Sequence, residues 1–195
     1  MNVKCPLCNS FSEKTEKVFS LNMSAYYSLF ECPSCSLGFI HPLPSEEELT
    51  TYYNSRYEIP LTEYKEKAIK TVRRRAASVK RFIQPEDRIL EIGCAYGFFL
   101  DRLKKEGFPF VNGVEISEKY VHYAQNFLGL SVKEGSFTSG NNKKRDVVFM
   151  WHVLEHIRDP LHLMKEIHRS LTEEGLCIFE IPNFNSLGRK MSGKY

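Results

Sequence analysis

From Asp87 onward, apolar stretches alternate with amphipathic ones, and this alternation restricts the fold more than any other feature of the chain. Five strands are predicted, at Arg88–Ile92, Phe110–Glu115, Leu130–Glu134, Asp146–Met150 and Leu176–Ile181. Helices are predicted between them, at about Phe98–Glu106, Glu118–Phe127 and Pro160–Leu171. Because strand–helix–strand units in series form a parallel sheet, we predict an α/β, Rossmann-like domain over residues 85–195. Ligands of such sheets bind beyond the carboxyl ends of the strands.

The loop that ends the first predicted strand indicates which ligand binds there. Gly93 and Gly97 lack side chains where the backbone must turn sharply and approach a ligand. A dinucleotide loop needs a third glycine, but Phe98 stands in its place, and Glu91 would repel a pyrophosphate. The acid suits a cationic ligand without phosphate, such as S-adenosylmethionine with its sulfonium and amino groups. Glu115, which ends the second strand, is placed to bind both ribose hydroxyls.

Four of the six cysteines form two C-P-x-C pairs near the N-terminus: Cys5, Cys8, Cys32 and Cys35. Two such pairs complete a tetrahedral S4 site, which suits zinc. Lys17–Leu21 and Tyr27–Glu31 are predicted strands between the pairs. Residues 1–44 are too few to bury a large core, so we predict a zinc ribbon stabilised by a structural zinc ion. Two disulfides or scattered reduced thiols are the alternatives.

Residues 45–84 are predicted to form a helical connector. Ser45 and the glutamates after it predict a capping box and a short helix through Tyr53, and a longer helix is predicted over Glu63–Phe82. Its basic residues predict a solvated face, with a phosphate or RNA contact as the alternative: Lys70, Arg73, Arg74, Arg75, Lys80 and Arg81. Clustered tyrosines indicate packing of the ribbon on the core or, alternatively, a wall of an acceptor site: Tyr52, Tyr53, Tyr57 and Tyr64.

The segments ILEIGCAYGFFL, GVEIS, DVVFMWHVLEHIRDP and GLCIFEIPN stand in the order seen in class I S-adenosylmethionine-dependent methyltransferases, which the chain resembles. The cysteine pairs, the proline-rich turn and the tyrosine-rich helices resemble a bacterial subgroup with an N-terminal zinc ribbon. Many members of that subgroup are associated with sugar or surface-polysaccharide pathways. The resemblance covers nearly the whole chain and implies a methyltransferase.

The resemblance also implies which residues bind the cofactor. Ala95 replaces the usual middle glycine of the first motif, and Glu115 matches the acid that binds the ribose. Ser136 and Phe137 stand where the family holds the adenine, although the frequent aspartate is missing. The implied cofactor residues are Glu91, Gly93, Cys94, Ala95, Gly97, Glu115, Ile116, Ser136, Phe137, Met150 and Trp151.

His152 to His156 match the pattern H-x-x-E-H of some zinc metalloproteases. That pattern requires a long helix, whereas here it follows a strand directly and a proline comes within four residues. In a methyltransferase, this segment faces the transferable methyl group, and His152 or His156 is a candidate general base. Structural hydrogen bonding is the alternative for each histidine. Some relatives use a metal here, for which Glu155 and His156 are candidate ligands.

The end of the chain led us to expect an incomplete core. The fold of this family normally continues through two more strands, which residues 183–195 do not supply. We therefore expect a Rossmann-like core with its last two strands missing and with weak or no activity. The fifth strand would then be an exposed edge, which favours self-association.

Bulk properties restrict partners and location. The formal net charge is +3, and lysines and glutamates balance to zero over residues 1–44, so nucleic acid is not an expected partner. No apolar run approaches the roughly 18 residues that span a bilayer, and no secretory signal is visible. We therefore expect a cytoplasmic protein without a membrane partner.

The predicted function is methyl transfer from S-adenosylmethionine to a small-molecule acceptor, specifically a sugar or an intermediate of surface-glycan biosynthesis. One alternative is an RNA methyltransferase whose zinc ribbon holds the RNA. The other is an inactive fragment that acts as a zinc-ribbon interaction module.

Overall fold

The computed structural model describes residues 3–20, 25–45, 47–49, 61–139, 144–184, 186, 187 and 191, without the side chains of residues 16–20, 25 and 26. The chain divides into two compact units. The ribbon unit comprises residues 1–60 and 182–195, and the sheet unit comprises residues 61–181. The predicted boundaries after residues 44 and 84 stay predictions, and the long helix of the predicted connector belongs to the sheet unit.

The ribbon unit contains a four-stranded antiparallel sheet in the order β1-β2-β3-β4. Its strands are β1 (Val3–Lys4), β2 (Phe11–Ser20), β3 (Ala25–Glu31) and β4 (Gly38–His41). The two strands predicted between the cysteine pairs correspond to β2 and β3, which pair as an antiparallel hairpin and are longer than the sequence indicated. A register shift between Lys14 and Glu16 interrupts the pairing of β2 with β3.

The two cysteine turns repeat the same backbone geometry. The N–H of Cys5 donates to the carbonyl of Ser10 over 2.8 Å, and the N–H of Cys32 donates to the carbonyl of Leu37 over 3.0 Å. Asn9 (φ 61°) and Ser36 (φ 58°) occupy equivalent left-handed positions four residues after the first cysteine of each turn. Two equivalent turns are what a shared metal ion requires of a ribbon.

The capping box after the ribbon is confirmed. The Ser45 N–H donates to Glu48 Oε2 over 2.6 Å, and the Glu48 N–H donates to Ser45 Oγ over 3.1 Å. Residues 47–49 are helical, and the rest of the helix predicted through Tyr53 lies outside the described residues, as do Tyr52 and Tyr57.

The sheet unit is built on five parallel strands in the order β7-β6-β5-β8-β9. These strands are β5 (Ile89–Ile92), β6 (Val111–Glu115), β7 (Ser131–Glu134), β8 (Arg145–Trp151) and β9 (Leu171–Glu180). The strand order reverses direction between β5 and β8, which marks the crevice where ligands bind in such sheets. Among the described residues, β9 pairs only with β8 and lies at an edge.

Helices cover both faces of this sheet. They are α1 (Leu61–Val79, continued by a 3-10 turn at Lys80–Phe82), α2 (Phe98–Lys105), α3 (Glu118–Asn126) and α4 (Pro160–Ser170). The first three pack on one face, around Ile89, Val147 and Phe149. Helix α4 packs on the other face, against Leu90 and Met150. Each fully buried aliphatic side chain contributes about 1.5–3 kcal/mol, so the sheet unit has a substantial core of its own.

The five strands and three helices predicted after Asp87 agree with the structure to within one residue at each end, except at the start of the last strand. Strand β9 begins at Leu171 rather than Leu176, and α4 ends one residue earlier than predicted. Arg145 pairs with Leu171 and Val147 pairs with Leu176, so four residues of β9 (172–175) lie opposite the single residue Asp146 of β8. Their polar sequence, TEEG, conceals the earlier pairing from an analysis of apolar stretches.

Candidate cofactor site

The loop after β5 turns sharply through three residues in the left-handed region. Gly93 has a φ of 69°, Ala95 of 46° and Gly97 of 79°. The N–H of Gly93 donates to the carbonyl of Val114 over 2.8 Å, which ties the loop to the neighbouring strand β6. Helix α2 then begins at Phe98, directly after Gly97. The loop therefore presents its backbone at the carboxyl end of the central strand.

Close packing adds a second reason for these glycines. A Cβ atom on Gly93 would lie 2.5 Å from Cγ2 of Val153, and one on Gly97 would lie 2.6 Å from Cδ1 of Leu130. Gly113 lies on β6, where a Cβ atom would lie 2.5 Å from Sγ of Cys94. The buried Cys94 side chain thus fills the space beneath the loop, so only its main chain can face a ligand.

Glu115 holds the loop in place at the end of β6. Its Oε2 accepts a hydrogen bond from the Ala95 N–H over 2.8 Å, and its Oε1 accepts one from the Ser117 N–H over 3.0 Å. The side chain is buried. Each carboxylate oxygen has a second lone pair, so Glu115 can accept two further hydrogen bonds from a ligand.

Glu91 is the most unusual group of the site. Its side chain is buried, and its Oε2 has no hydrogen-bond partner in the described part of the chain. Burial raises the pKa of this carboxyl well above its usual range; Arg75 opposes the shift, and the charge of Glu115 adds to it. A buried acid without a full set of partners destabilises a fold, so its presence indicates a ligand that supplies the missing charge or donor.

S-adenosylmethionine fits this arrangement. The ligand carries positive charge on its sulfonium and amino groups, which would compensate the charge of ionised Glu91. It also has two ribose hydroxyls, which could donate hydrogen bonds to Glu115. A pyrophosphate would instead bring negative charge close to two buried acids.

Helix α1 supplies two residues near these acids, Tyr64 and Arg75. The sequence offered Tyr64 only as an alternative wall of an acceptor site and did not identify Arg75 as part of the site. The Tyr64 ring lies 4.9 Å from that of Tyr96. Burial and the charges of Glu91 and Glu115 raise the pKa of Tyr64 to about 12. Tyr64 therefore packs within the sheet unit, and packing of the ribbon on the core stays a prediction. The sequence signal for these residues is that Tyr64 and Arg75 lie on the same face of the predicted helix. Helical spacing alone does not distinguish such residues from ordinary core or surface positions.

The prediction of a solvated basic face is wrong for Arg75. The side chain is only 15% exposed, and it pairs with Glu180 at the end of β9. Its Nη2 donates to Oε1 of Glu180 over 3.0 Å, and its Nε donates to Oε2 over 3.3 Å. The guanidinium also lies 4.8 Å from the centre of the Trp151 ring. Tertiary pairing with a distant strand, which the helix sequence does not encode, accounts for this burial.

The imidazole of His152 lies between two carboxylates. Its Nε2 is 3.0 Å from Oε1 of Glu180, and its Nδ1 is 3.2 Å from Oε1 of Glu155. The backbone is left-handed here, with a φ of 55°, and the His152 N–H donates to the carbonyl of Glu180 over 2.8 Å. Hydrogen bonds from Arg75 and His152, opposed by partial burial, lower the pKa of Glu180.

The remaining predicted residues lie around the same strand ends. His156 is exposed, at the end of a 3-10 turn over Leu154–His156. No long helix carries the two histidines, which agrees with our rejection of the metalloprotease interpretation. Met150 is fully buried against α4, so only its main chain can face a ligand, whereas Ile116 is exposed.

Trp151 and the two candidate adenine residues have different surroundings. The Trp151 ring stacks on Phe149, and its Nε1 is buried without a hydrogen-bond partner in the described residues. Ser136 and Phe137 follow Gly135 after β7 and line a cavity of about 220 Å³ on the α4 face of the sheet. Phe137 also packs against the core on that face.

The four predicted zinc ligands lie together in the ribbon unit. Cys5 Sγ is 3.6 Å from Cys35 Sγ, and Cys8 Sγ is 3.5 Å from Cys32 Sγ. Any two of the four sulfur atoms lie within 4.8 Å of each other. A tetrahedral S4 zinc site with bonds of about 2.3 Å places its sulfur atoms about 3.8 Å apart, so the cluster fits the ion.

A family model described as a methyltransferase domain matches residues 61–194, which is more than half of the chain. The chain therefore belongs to this family, and its parallel sheet is the Rossmann-like sheet of class I S-adenosylmethionine-dependent methyltransferases. None of the described helices is both long enough and apolar enough to cross a membrane.

Two of the curated relatives each match about half of the chain. Juvenile hormone acid O-methyltransferase of Bombyx mori is 31% identical over 102 residues, which are 47% of this chain and 37% of that protein. Ubiquinone biosynthesis O-methyltransferase of Neisseria meningitidis serogroup A / serotype 4A is 22% identical over 107 residues, which are 50% of this chain and 45% of that protein. The chain thus spans less than half the length of these relatives.

Solved structures support the same fold. A methyltransferase of Thermotoga maritima, described as a "possible histamine N-methyltransferase", has a TM-score of 0.52 and 27% identity and covers 68% of this chain and 64% of its own. The plantazolicin methyltransferase BpumL, solved with a monoazolic desmethylPZN analog and SAH (S-adenosylhomocysteine), has a TM-score of 0.51 and 21% identity. That match covers 78% of this chain and 59% of its own.

Proposed function

We propose that this chain binds S-adenosylmethionine at the carboxyl ends of β5 and β6 and transfers its methyl group to a small-molecule acceptor. The observation that carries the proposal is the buried carboxyl of Glu91, whose Oε2 has no partner among the described residues beside the glycine loop. Membership of the methyltransferase family supports the same reaction.

In this proposal, Glu91 compensates the positive charge of the cofactor, and Glu115 accepts hydrogen bonds from the two hydroxyls of its ribose. The cofactor supplies a methyl group on a sulfonium, from which an acceptor can displace it. The backbone of Gly93, Cys94, Ala95 and Gly97 lies against the ligand, because side chains there would collide with the protein or strain the loop. Ile116, Ser136 and Phe137 are the proposed adenine contacts, with Met150 and Trp151 near the methionine part.

The proposed acceptor is a sugar or a glycan intermediate. This class rests on the resemblance of the ribbon and the connector to the bacterial subgroup described above. Both curated relatives are named as O-methyltransferases, which supports an oxygen nucleophile. A hydroxyl must lose its proton as the methyl group transfers, and His152 is the proposed base, with His156 as the second candidate.

We also propose that Cys5, Cys8, Cys32 and Cys35 hold a structural zinc ion. Four thiolates occupy all four positions of a tetrahedral zinc ion, so no position is left for a substrate. The ion would therefore stabilise the ribbon unit and take no part in methyl transfer.

Calorimetric titration tests the cofactor assignment. The chain should bind S-adenosylmethionine and S-adenosylhomocysteine, and it should not bind NAD⁺, whose pyrophosphate would approach two buried acids. Glu115→Gln should weaken binding of both adenosyl ligands about tenfold, because one charge-assisted acceptor is lost. The exposed Glu86→Gln is the matched control and should bind as the unmodified chain does. Binding of NAD⁺ in preference to S-adenosylmethionine would overturn the proposal.

A further inference from the structure

The two carboxylates beside His152 have unequal surroundings. Glu180 ends strand β9, and its carboxylate accepts two hydrogen bonds from Arg75. Its backbone carbonyl accepts a hydrogen bond from the backbone N–H of His152. Glu155 lies three residues from His152 in a 3-10 turn. Within the described residues, its carboxylate has no partner other than His152. Glu180 is therefore held on three sides, whereas Glu155 is held by the imidazole alone.

A neutral imidazole cannot satisfy both carboxylates. One ring nitrogen carries a proton and donates, and the other has a lone pair that a carboxylate oxygen would repel. The more rigid partner should receive the proton, because less side-chain freedom is lost in forming that bond. Glu180 is the more rigid partner, and its lowered pKa keeps it ionised at neutral pH.

We infer that Glu180 is a positioning residue that fixes His152 as the Nε2–H tautomer and leaves Nδ1 as the nitrogen that accepts a proton from the acceptor. Arg75 supports this role, since it binds both oxygens of Glu180 and lies over Trp151, so the carboxylate cannot rotate away from Nε2. The inference rests on the proposed function, because it assigns His152 as the base of that reaction.

The chemical step balances in this arrangement. The acceptor oxygen forms a bond to the methyl carbon as the bond from that carbon to sulfur breaks, and the electron pair of that bond stays on sulfur. The acceptor proton passes to Nδ1, and the resulting imidazolium donates from Nε2 to Glu180. Glu155 must first move away from Nδ1, which its lack of other partners among the described residues allows.

Long-range ¹H–¹⁵N spectra of the imidazole rings, recorded at alkaline pH, test the inference without any acceptor. The neutral His152 ring should carry its proton on Nε2 in the unmodified chain and in Glu155→Gln. In Glu180→Gln, the two tautomers should mix, because the charged acceptor at Nε2 is lost. Glu174→Gln, in the same strand and exposed, should leave the spectrum unchanged.

The outcomes separate this inference from the proposed function. A neutral His152 with its proton on Nδ1 would overturn the inference, as would a spectrum of Glu180→Gln identical to that of the unmodified chain. Titration with S-adenosylhomocysteine on the same samples reports cofactor binding independently. A chain that binds this ligand but has the wrong tautomer keeps the proposed function and loses the inference. A chain with the expected tautomer that does not bind it loses the proposed function, and with it the role of Nδ1 as the base, but keeps the positioning of His152 by Glu180.

Discussion

The ribbon unit and the sheet unit each bring chemically reactive groups together, but by different means. In the ribbon unit, four identical thiols lie within 4.8 Å of one another, and the two described core clusters contain none of its residues. In the sheet unit, a large core holds two acids at the strand ends, and one of them, Glu91, is left without full hydrogen bonding among the described residues. The zinc ion that we propose would stabilise the ribbon unit, whereas the core of the sheet unit would be large enough to keep an unfavourable group for the proposed ligand.

Removing the metal should give the largest effect and should be confined to one unit. Cys32→Ser should abolish zinc binding and amide protection over residues 3–41, because structural zinc contributes about 10–16 kcal/mol in small zinc domains. Amides of the sheet strands should stay protected. Zinc analysis and hydrogen exchange measure both effects.

The control for this experiment is Cys177→Ser, which removes a half-buried thiol from β9. This variant should keep one zinc ion per chain. A Cys32→Ser chain that retained both zinc and a protected ribbon would contradict the comparison.

Gly93→Ala should destabilise the cofactor loop in two ways that can be measured separately: backbone strain and a steric clash. A left-handed alanine costs about 1–2 kcal/mol, and the new Cβ would lie 2.5 Å from Val153. We expect a total loss above about 2 kcal/mol in urea denaturation and no measurable cofactor binding.

Two variants separate these terms. Gly129→Ala has a similar φ of 61° but no atom within 4 Å of its Cβ, so it should show only the backbone cost and should bind cofactor. Adding Val153→Ala to Gly93→Ala should recover the steric part of the loss. Equal stability losses in Gly93→Ala and Gly129→Ala would show that the packing term is absent.

Glu91→Gln should stabilise the chain in the absence of cofactor. Below the pKa of an unfolded glutamate, about 4.3, the carboxyl is protonated in both states, and its full contribution to stability is present. As the pH rises through the raised pKa of folded Glu91, the buried group loses its proton and that contribution is lost. The glutamine variant lacks this loss and should be about 1–3 kcal/mol more stable at about pH 8.

Urea denaturation at about pH 5 and about pH 8 measures this difference, with Glu86→Gln as the exposed control. If the glutamine variant were less stable than the unmodified chain at the higher pH, the carboxylate of Glu91 would have a stabilising partner, which would contradict the difference drawn between the two units.

Arg88→Gln should have the smallest effect. Arg88 and its partner Asp146 lie at the amino ends of β5 and β8, opposite the cofactor loop. Arg88 binds both oxygens of Asp146 and lowers the pKa of that acid to about 2. The stabilisation is present above the unfolded pKa of about 3.9 and is lost as the pH falls through the folded value. The pair is partly exposed, so we expect about 1 kcal/mol or less.

Denaturation at neutral and acidic pH tests this pair, and Arg74→Gln, an exposed cation of α1, is the control. Cofactor affinity should be unchanged in both variants. A loss of affinity in Arg88→Gln would show that the two ends of the strands are coupled.

The sequence predicted those parts of the fold and the site that are encoded in residue spacing and in the alternation of apolar and amphipathic segments. Spacing identified the four cysteines, and the alternation of strands and helices identified the Rossmann-like sheet. Glu91 and Glu115 were found because strand ends of a parallel sheet meet at one edge. Arg75 was assigned to solvent, because its partner Glu180 lies 105 positions away and nothing in α1 encodes that contact. Glu180 lies 28 positions from His152, and this separation likewise concealed the carboxylate at Nε2 of His152.

The central proposal is that the buried carboxyl of Glu91, whose Oε2 has no hydrogen-bond partner among the described residues, binds the cation of the cofactor, and the affinity of Glu91→Gln for S-adenosylmethionine tests it most directly. Calorimetry at about pH 8 should show at least tenfold weaker binding, about 1.4 kcal/mol, in a variant that is folded and no less stable than the unmodified chain. Equal affinity in the two proteins would contradict the account, because the buried carboxylate would then contribute nothing to the bound cation.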